Sequence, residues 1–245
     1  MILAAAQIEV KIGKLESNLL HHIKMIELAA ENNADLIVFP EMSLTGYCRE
    51  EASKFAFAKN DKRLTILKKL ASKHKLIIIV GAPIRIAKKL YIGSFIIHPH
   101  SEVEIYTKQF LHDGEEHFFT SSFNYNPVLK IDNENIQLAI CADINHEEHV
   151  LNTSKNKTTI YISSLFFTES GIQQGHEILQ AYAKNYKLTI LMANYVGKHW
   201  HVIGGGKSAF WNAKGNNIGE LNNSNQGLLI AQKETLNWNV KNIQL

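Results

Sequence analysis

Ile136-Gln137-Leu138-Ala139-Ile140-Cys141-Ala142-Asp143 is the stretch on which the reading of this chain turns. The apolar run reads as a buried strand, and the thiol falls where the strand ends and the chain turns. A nucleophile at such a strand end is exposed at the rim of an α/β sheet while its backbone stays rigid. Two other segments share the layout. Leu36-Ile37-Val38-Phe39-Pro40-Glu41 carries a carboxylate just past an apolar strand, and Ile105-Tyr106-Thr107-Lys108 carries an ammonium just past another. A thiol, a carboxylate and an amine at three strand ends, spread over about a hundred residues, form a candidate catalytic constellation. Each has a plainer reading on its own. A lone Cys after a strand is usually a small buried hydrophobe, Glu41 could be a turn or capping carboxylate, and Lys108 a solvated strand end.

Outward from these stretches, strands and helices alternate. Ile2 to Ile8 reads as a buried strand. Leu19, Ile23, Ile26 and Ala30 then share one helical face, with Ser17 as the N-cap, and Asp35 to Phe39 forms the next strand. A second helix around Asp61 to His74 turns Leu64, Leu67 and Leu70 inward and leads into the strand Leu76 to Gly81. From Leu90 the pattern changes to strands with short links, Tyr91 to Ile97 and Val103 to Thr107, which implies antiparallel pairing within a mixed sheet. Further strands are expected near Pro127 to Ile131, Ile136 to Ile140, Thr159 to Ser163 and Thr189 to Ala193, with a helix from Ile172 to Tyr186 between the last two. Ser208 to Trp211, Asn217 to Leu221 and Leu228 to Gln232 read as a terminal meander with glycine turns at Gly215 and Gly227. No repeat, low-complexity segment or linker interrupts this order, so one domain over 1–245 is expected. Two stacked sheets covered by helices fit the pattern, as does one doubly wound sheet.

The 245 residues, 45% of them apolar, suffice for one large core. A net charge of +3, with 20% charged residues, makes no electrostatic case for nucleic acid or a membrane surface. The densest lysine pairs, Lys68-Lys69 and Lys88-Lys89, are too short for a polybasic patch. Two cysteines argue against a disulfide-built fold and fit a reducing compartment. The apolar opening from Met1 to Ala6 lacks a basic leader and is too short for a signal peptide. No stretch approaches the ~20 apolar residues that span a bilayer. A soluble cytoplasmic protein is the expectation.

Larger blocks surround the three candidate residues. Phe39-Pro40-Glu41-Met42-Ser43-Leu44-Thr45-Gly46-Tyr47 resembles the first catalytic block of the nitrilase, or carbon–nitrogen hydrolase, superfamily. Tyr106-Thr107-Lys108-Gln109-Phe110-Leu111, followed by Gly114-Glu115-Glu116-His117-Phe118-Phe119, is similar to its lysine block. Leu138 to Asp143 is similar to its cysteine block. The blocks stand in the family's order and at about its spacing. The match extends to Gln7, to Met192-Ala193-Asn194-Tyr195 and to Gly206-Lys207-Ser208-Ala209. Three ordered blocks are a specific signal where one would be weak.

The resemblance implies an α/β fold, a four-layer α-β-β-α sandwich of two mixed sheets covered by helices. It implies hydrolysis of a non-peptide C–N bond of a small molecule, an amide or an N-carbamoyl group, through a Cys thioester, with no cofactor and no metal. Cys141 is then the nucleophile, whose free pKa near ~8.5 calls for a neighbouring base or cation. Glu41 is the general base, and Lys108, with the backbone N–H of Ala142, the oxyanion donor. A second glutamate orients the lysine in this family. Its place beside Gly114 selects Glu115, and Glu116 stays open. Family members commonly pair, so a homodimer or higher homo-oligomer is expected. The tail from Leu228 carries Leu229, Ile230, Leu236, Trp238, Val240, Ile243 and Leu245, and needs a surface to cover, on its own subunit or a neighbour.

Two departures stand out. After Asp143, Ile144-Asn145-His146 replaces the common aromatic-Arg-Pro, which removes one way of holding a substrate carboxylate. Thr120-Ser121-Ser122 replaces a usual Pro-Gly and reads as loop variation. A rival reading uses His112, Asp113, Glu115, Glu116 and His117, with Asp143, His146, Glu147 and His149, as zinc ligands of a metallohydrolase. Against it, no His-Glu-x-x-His signature is present and no third ligand accompanies His146 and His149, so helix-surface solvation is the simpler explanation. A catalytically inactive binding homologue is the other alternative. Its signature would be loss of Glu41, Lys108 or Cys141, and all three are present. His199-Trp200-His201, just before Gly204-Gly205-Gly206, reads either as a mobile pocket rim or as a connecting loop, and Cys48 as incidental. Sequence does not separate amide, N-carbamoyl and nitrile substrates.

Overall fold

The apolar runs are strands covered on both faces. A computed structural model describes residues 1–235 and 237–245. The chain runs through β1 (Ile2–Gln7), α1 (Leu15–Glu31), β2 (Leu36–Val38), α2 (Ala52–Phe55), α3 (Thr65–His74), β3 (Ile77–Ile86), β4 (Lys89–Ile97) and β5 (Glu104–Thr107). It continues with β6 (Leu129–Ile131), β7 (Glu134–Ile140), α4 (Glu147–Ser154), β8 (Ile160–Ser164), α5 (Ile172–Tyr186) and β9 (Thr189–Ala193). The last third holds β10 (Val196–His199), β11 (Val202–Gly205), β12 (Ala209–Trp211), β13 (Asn217–Glu220), β14 (Gly227–Glu234) and β15 (Asn237–Gln244). Short 3₁₀ turns stand at Lys62–Leu64, Glu115–His117 and Cys141–Asn145.

One sheet has seven strands in the order β15-β14-β1-β2-β3-β4-β5, the other six in the order β13-β12-β9-β8-β7-β6, and β10-β11 forms a separate ribbon. Each large sheet has three parallel strands at its heart, β1-β2-β3 and β7-β8-β9, flanked by antiparallel ones. Side chains alternate between faces along a strand. Leu3, Ala5 and Val38 of the first sheet therefore meet Leu138, Ile140 and Ile162 of the second in the layer between them. Ala4, Ala6 and Ile37 face the other way, onto Met25, Ile26 and Ala29 of α1 and Leu67 and Leu70 of α3. Ala139, Tyr161 and Ile190 turn outward onto Leu179 and Ala183 of α5. The result is the four-layer α-β-β-α sandwich, and its continuous apolar strands reflect burial on both faces.

Two expectations are corrected. Ser17 does not cap α1: the helix starts at Leu15 with Lys14 in the cap position and no side-chain cap bond. The chain is instead anchored by Asn18, whose amide accepts from Lys11 N at 2.8 Å and donates to the Lys11 and Leu44 carbonyls at 2.8 and 3.1 Å. The C-terminal strands are not one meander. β12 and β13 pair, but β14 crosses to the other sheet and lies antiparallel to β1, so Gly227 opens a strand rather than making a turn. Gln7 holds that crossover: its Nε2 donates to the Asn222 and Asn225 carbonyls at 2.8 Å each, and its Oε1 accepts from Ser208 N at 2.9 Å. The tail covers its own subunit. β15 pairs with β14, and the Trp238 ring packs 4.8 Å from Phe210. Leu236 lies outside the described residues. Among the described residues, no helix is long and apolar enough to cross a membrane.

β3 runs so close to the turn after Glu41 that a methyl group on Gly81 would overlap the backbone of Met42. Gly81→Ala is expected to cost about 1–3 kcal/mol of stability, as overpacking does, read from the midpoint of urea unfolding. An unchanged midpoint would show that the turn has room to move.

Candidate active site

Glu41, Lys108 and Cys141 follow the ends of β2, β5 and β7, and the packing of the two sheets brings them together. The Cys141 backbone is strained. Ile140 is extended, Cys141 sits at φ +43°, and the 3₁₀ turn begins there. Met42, directly after Glu41, sits at φ +48°. Left-handed backbone at non-glycine residues costs about 1 kcal/mol or more and persists only where surrounding contacts impose it.

Asp143 supplies much of that constraint. Its Oδ2 accepts from Ile140 N at 2.9 Å and from the Tyr106 hydroxyl at 2.6 Å, and its Oδ1 accepts from Gln109 N at 2.9 Å and Phe110 N at 2.8 Å. One buried carboxylate thus ties the residue before the thiol to the two residues after Lys108. Tyr106 spends its proton on Asp143, so it accepts from His149 Nε2 at 2.8 Å. His149 Nδ1 is then left to accept from the Tyr161 hydroxyl at 2.8 Å. Burial lowers the His149 pKa, in keeping with a neutral ring. This overturns the solvated-surface reading for His149. His146 stacks on Phe110 at 4.1 Å, while His112, Asp113, Glu116 and His117 are exposed. Among the described residues, no three His, Cys, Asp or Glu side chains are grouped to hold a metal ion, so the two acidic–imidazole clusters do not converge.

At the centre, Lys108 Nζ lies 2.9 Å from Glu41 Oε1 and 2.9 Å from Glu115, and all three side chains are buried to 1% exposure or less. Glu115 is further held by the Tyr47 hydroxyl at 2.7 Å and by His112 N at 2.8 Å. Glu116 faces solvent, so Glu115 is the glutamate brought to the lysine. Burial works against the Lys108 charge, but Glu41, Cys141 and Glu115 together outweigh it and raise its pKa. Burial pushes the Glu41 carboxyl up to about 7; Lys108 pulls it down and Glu115 adds to the rise. The Cys141 thiol is likewise pushed well up, by burial first and then by the Glu41 charge. Glu41 Oε2, the oxygen not bonded to Lys108, has no hydrogen-bond partner among the described residues. It is free to take a proton from a neighbour, and Cys141 is among the groups that act on it.

The late sequence blocks build the support. The Tyr195 hydroxyl donates to the Glu41 carbonyl at 2.5 Å. Asn194 donates to the Phe167 and Gly206 carbonyls at 3.0 and 2.9 Å and accepts from Phe167 N at 2.8 Å, which fixes the loop after β8. A cavity of about 340 Å³ opens over Cys141 between Tyr47, Phe166, Trp200 and Val202, with Arg49 in its wall. The glycine-rich segment is an ordered ribbon rather than a loose loop. His199 Nε2 lies 2.9 Å from the Tyr47 carbonyl, and Trp200 stands edge-on to the Tyr47 ring at 5.5 Å. Roles for Tyr47, Arg49, Phe166 and Asp143 escaped the sequence reading. Tyr47 and Asp143 end blocks that were quoted whole. Arg49 sits in an irregular loop, where no periodicity says which side chains face a pocket.

The arrangement has the parts for acyl transfer: a thiol beside a base poised near neutrality, and a fixed ammonium. A family model described as carbon-nitrogen hydrolase matches residues 2–234. Curated relatives include the "Hydrolase in agr operon" of Staphylococcus aureus, 24% identical over 223 residues, 89% of this chain and 85% of that one. The 2-oxoglutaramate amidase of Bacillus subtilis is 25% identical over 166 residues, 66% of this chain and 64% of that one. An amidase from Nesterenkonia sp. AN1 superposes with a TM-score of 0.85, covering 96% of this chain and 93% of that one at 21% identity. Another structure of that amidase, with the acetamide moiety of fluoroacetamide added covalently at its active-site cysteine, gives 0.85 over 100% and 90% at 20% identity. At these identities the structural likeness speaks to the fold, and the family model spans almost the whole sequence. The chain belongs to the carbon-nitrogen hydrolase family.

Proposed function

We propose that this protein hydrolyses a non-peptide C–N bond of a small molecule, an amide or an N-carbamoyl compound, with Cys141 as nucleophile. The observation that carries the reading is the burial of Glu41, Lys108 and Glu115 as one hydrogen-bonded group beside the Cys141 thiol. Glu41 Oε2 takes the thiol proton as sulfur attacks the carbonyl carbon. The developing oxyanion faces the Lys108 ammonium and the N–H of Ala142. Ala142 lies in the first turn of the 3₁₀ segment, where amide hydrogens lack helical partners. Glu41 returns the proton to the nitrogen, the C–N bond breaks, and ammonia or an amine leaves behind a thioester. Water then attacks the thioester, Glu41 takes its proton, and the thiol and a carboxylic acid are released. Glu115 and Tyr47 keep Lys108 aimed. Amidases among the relatives and structural neighbours support the amide reading.

The reading includes a homodimer or larger assembly in the cytoplasm. The family resemblance supports the assembly, and the free Cys48 and Cys141 fit a reducing setting. A monomer mass by light scattering at micromolar concentration would remove the assembly from it.

Ammonia release from a panel of amides, ureido acids and nitriles tests the reaction. Wild type is expected to act on amides or ureido acids, with carbon dioxide accompanying ammonia in the second case. Cys141→Ala should give no turnover and no acyl adduct by intact mass. Attack on nitriles alone, or a fully active Cys141→Ala, would refute the reading.

Asp143→Asn places an amide N–H₂ among donors, and an unsatisfied buried donor costs about 1–3 kcal/mol. A loss of that size in denaturant unfolding is expected, together with a fall in kcat. A stable and fully active variant would show that this carboxylate does not hold the thiol and the lysine in place.

A further inference from the structure

Two lobes open from Cys141. One, about 290 Å³, runs between Asn145, Phe167 and Gln174 and has no Lys or Arg in its wall. The other is the 340 Å³ cavity bounded by Tyr47, Phe166 and Trp200, and its wall holds one Lys or Arg side chain, Arg49, along with His112. Lys108 is not available to a substrate's remote charge, because two carboxylates already enclose it.

Arg49 is held rigidly by neutral partners. Its Nε donates to the Tyr47 hydroxyl at 2.9 Å and its Nη1 to the Asp113 carbonyl at 3.1 Å, while the guanidinium carbon lies 5.7 Å from the Tyr47 ring centre. Nη2 makes no hydrogen bond, and no carboxylate pairs with the guanidinium, among the described residues. Burial works against the Arg49 charge, but the bond to the Tyr47 hydroxyl, with the Glu115 and Glu50 charges nearby, outweighs it without an ion pair. The result is a full, oriented positive charge with spare N–H groups in the wall of a pocket that Tyr47, Phe166, Trp200 and Val202 line on its apolar side and whose two carboxylates, Glu41 and Glu115, are already bonded to Lys108. A planar guanidinium fixed in this way suits a carboxylate, which it can meet with two parallel hydrogen bonds. An uncharged substrate would leave that capacity unused.

We propose that Arg49 is the specificity-determining residue of this site and pairs with a carboxylate at the far end of the substrate. The preferred substrate is then the amide or carbamoyl derivative of a small acid. This rests on the amidase reading above. It also answers the departure noted after Asp143. Asn145 brings no positive charge where the commoner family arginine would, and Arg49 offers that charge from another wall of the cavity. A purely structural Arg49, bracing Tyr47 against Glu115, is the competing explanation.

Matched pairs of amides decide between them: succinamate against butyramide, and glutaramate against valeramide, scored by ammonia release. Wild type is expected to favour the anionic member in kcat/KM by on the order of 10- to 100-fold, the worth of a charge-assisted pair. Arg49→Gln should collapse that ratio, mostly through KM, and Arg49→Lys should restore part of it. Succinate should compete with substrate in wild type and lose its grip in Arg49→Gln. Bracing alone predicts that both members of a pair fall together with the ratio kept, which would overturn the proposal. A wild type that prefers neutral amides would overturn the proposal and leave the amidase reading intact. Ammonia from no member of the panel would overturn both.

Discussion

The buried Lys108 ammonium between two carboxylates is the interaction on which the site depends. An ammonium taken from water without a partner costs several kcal/mol, and each carboxylate buried beside it carries a similar penalty. Together they satisfy one another at 2.9 Å, but two negative groups share one positive one. The imbalance falls on Glu41, since Glu115 has the Tyr47 hydroxyl and the His112 N–H as additional donors. Burial, and then the Glu115 charge, outweigh the pull of Lys108 on Glu41, whose other oxygen has no partner among the described residues, so its pKa rises to about 7 rather than falling as in an ordinary ion pair. Removing Lys108 leaves two buried carboxylates uncompensated, and removing either carboxylate takes from Lys108 one of its two partners. The group is therefore one unit in both stability and chemistry.

That unit needs two sheets. Glu41 and Lys108 come from the seven-stranded sheet and Cys141 from the six-stranded one, so the catalytic geometry is set by how the sandwich packs. Asp143 bridges the halves: its carboxylate accepts from Ile140 in one sheet and from Gln109, Phe110 and Tyr106 following or within β5 of the other. The His149 and Tyr161 side chains extend this bridge into the outer layer, where each hydroxyl and ring nitrogen has one role. Such a network makes the left-handed Cys141 affordable.

Much of the fold was legible because strands covered on both faces are written as unbroken apolar runs, and α5 showed its limits, Ile172 and Tyr186, in its periodicity. The end of the chain misled for a physical reason. Turn residues announce that the chain reverses, but not which sheet receives the next strand, and Gln7, some 200 positions earlier, makes that choice. The site was legible in its charged members, because Glu41, Lys108, Glu115 and Cys141 sit in ordered blocks. His149 misled, since three carboxylates and imidazoles nearby suggested solvent while its ring is enclosed by tyrosines that sequence spacing cannot bring to it. Arg49 and Trp200 reach the cavity through loop and ribbon geometry that no local pattern encodes.

The central claim is that Glu41 ionises a thiol that burial would otherwise keep protonated. The most direct measurement is the rate of alkylation of Cys141 by iodoacetamide against pH, followed on the peptide that carries it, in wild type and in Glu41→Gln. Deprotonated Glu41 is the active base, so the wild-type rate should rise with pH through about 7 and then level off. In Glu41→Gln the rate should be low at neutral pH and climb only at much higher pH, as the thiol itself ionises. Coincident profiles for the two proteins would contradict the claim.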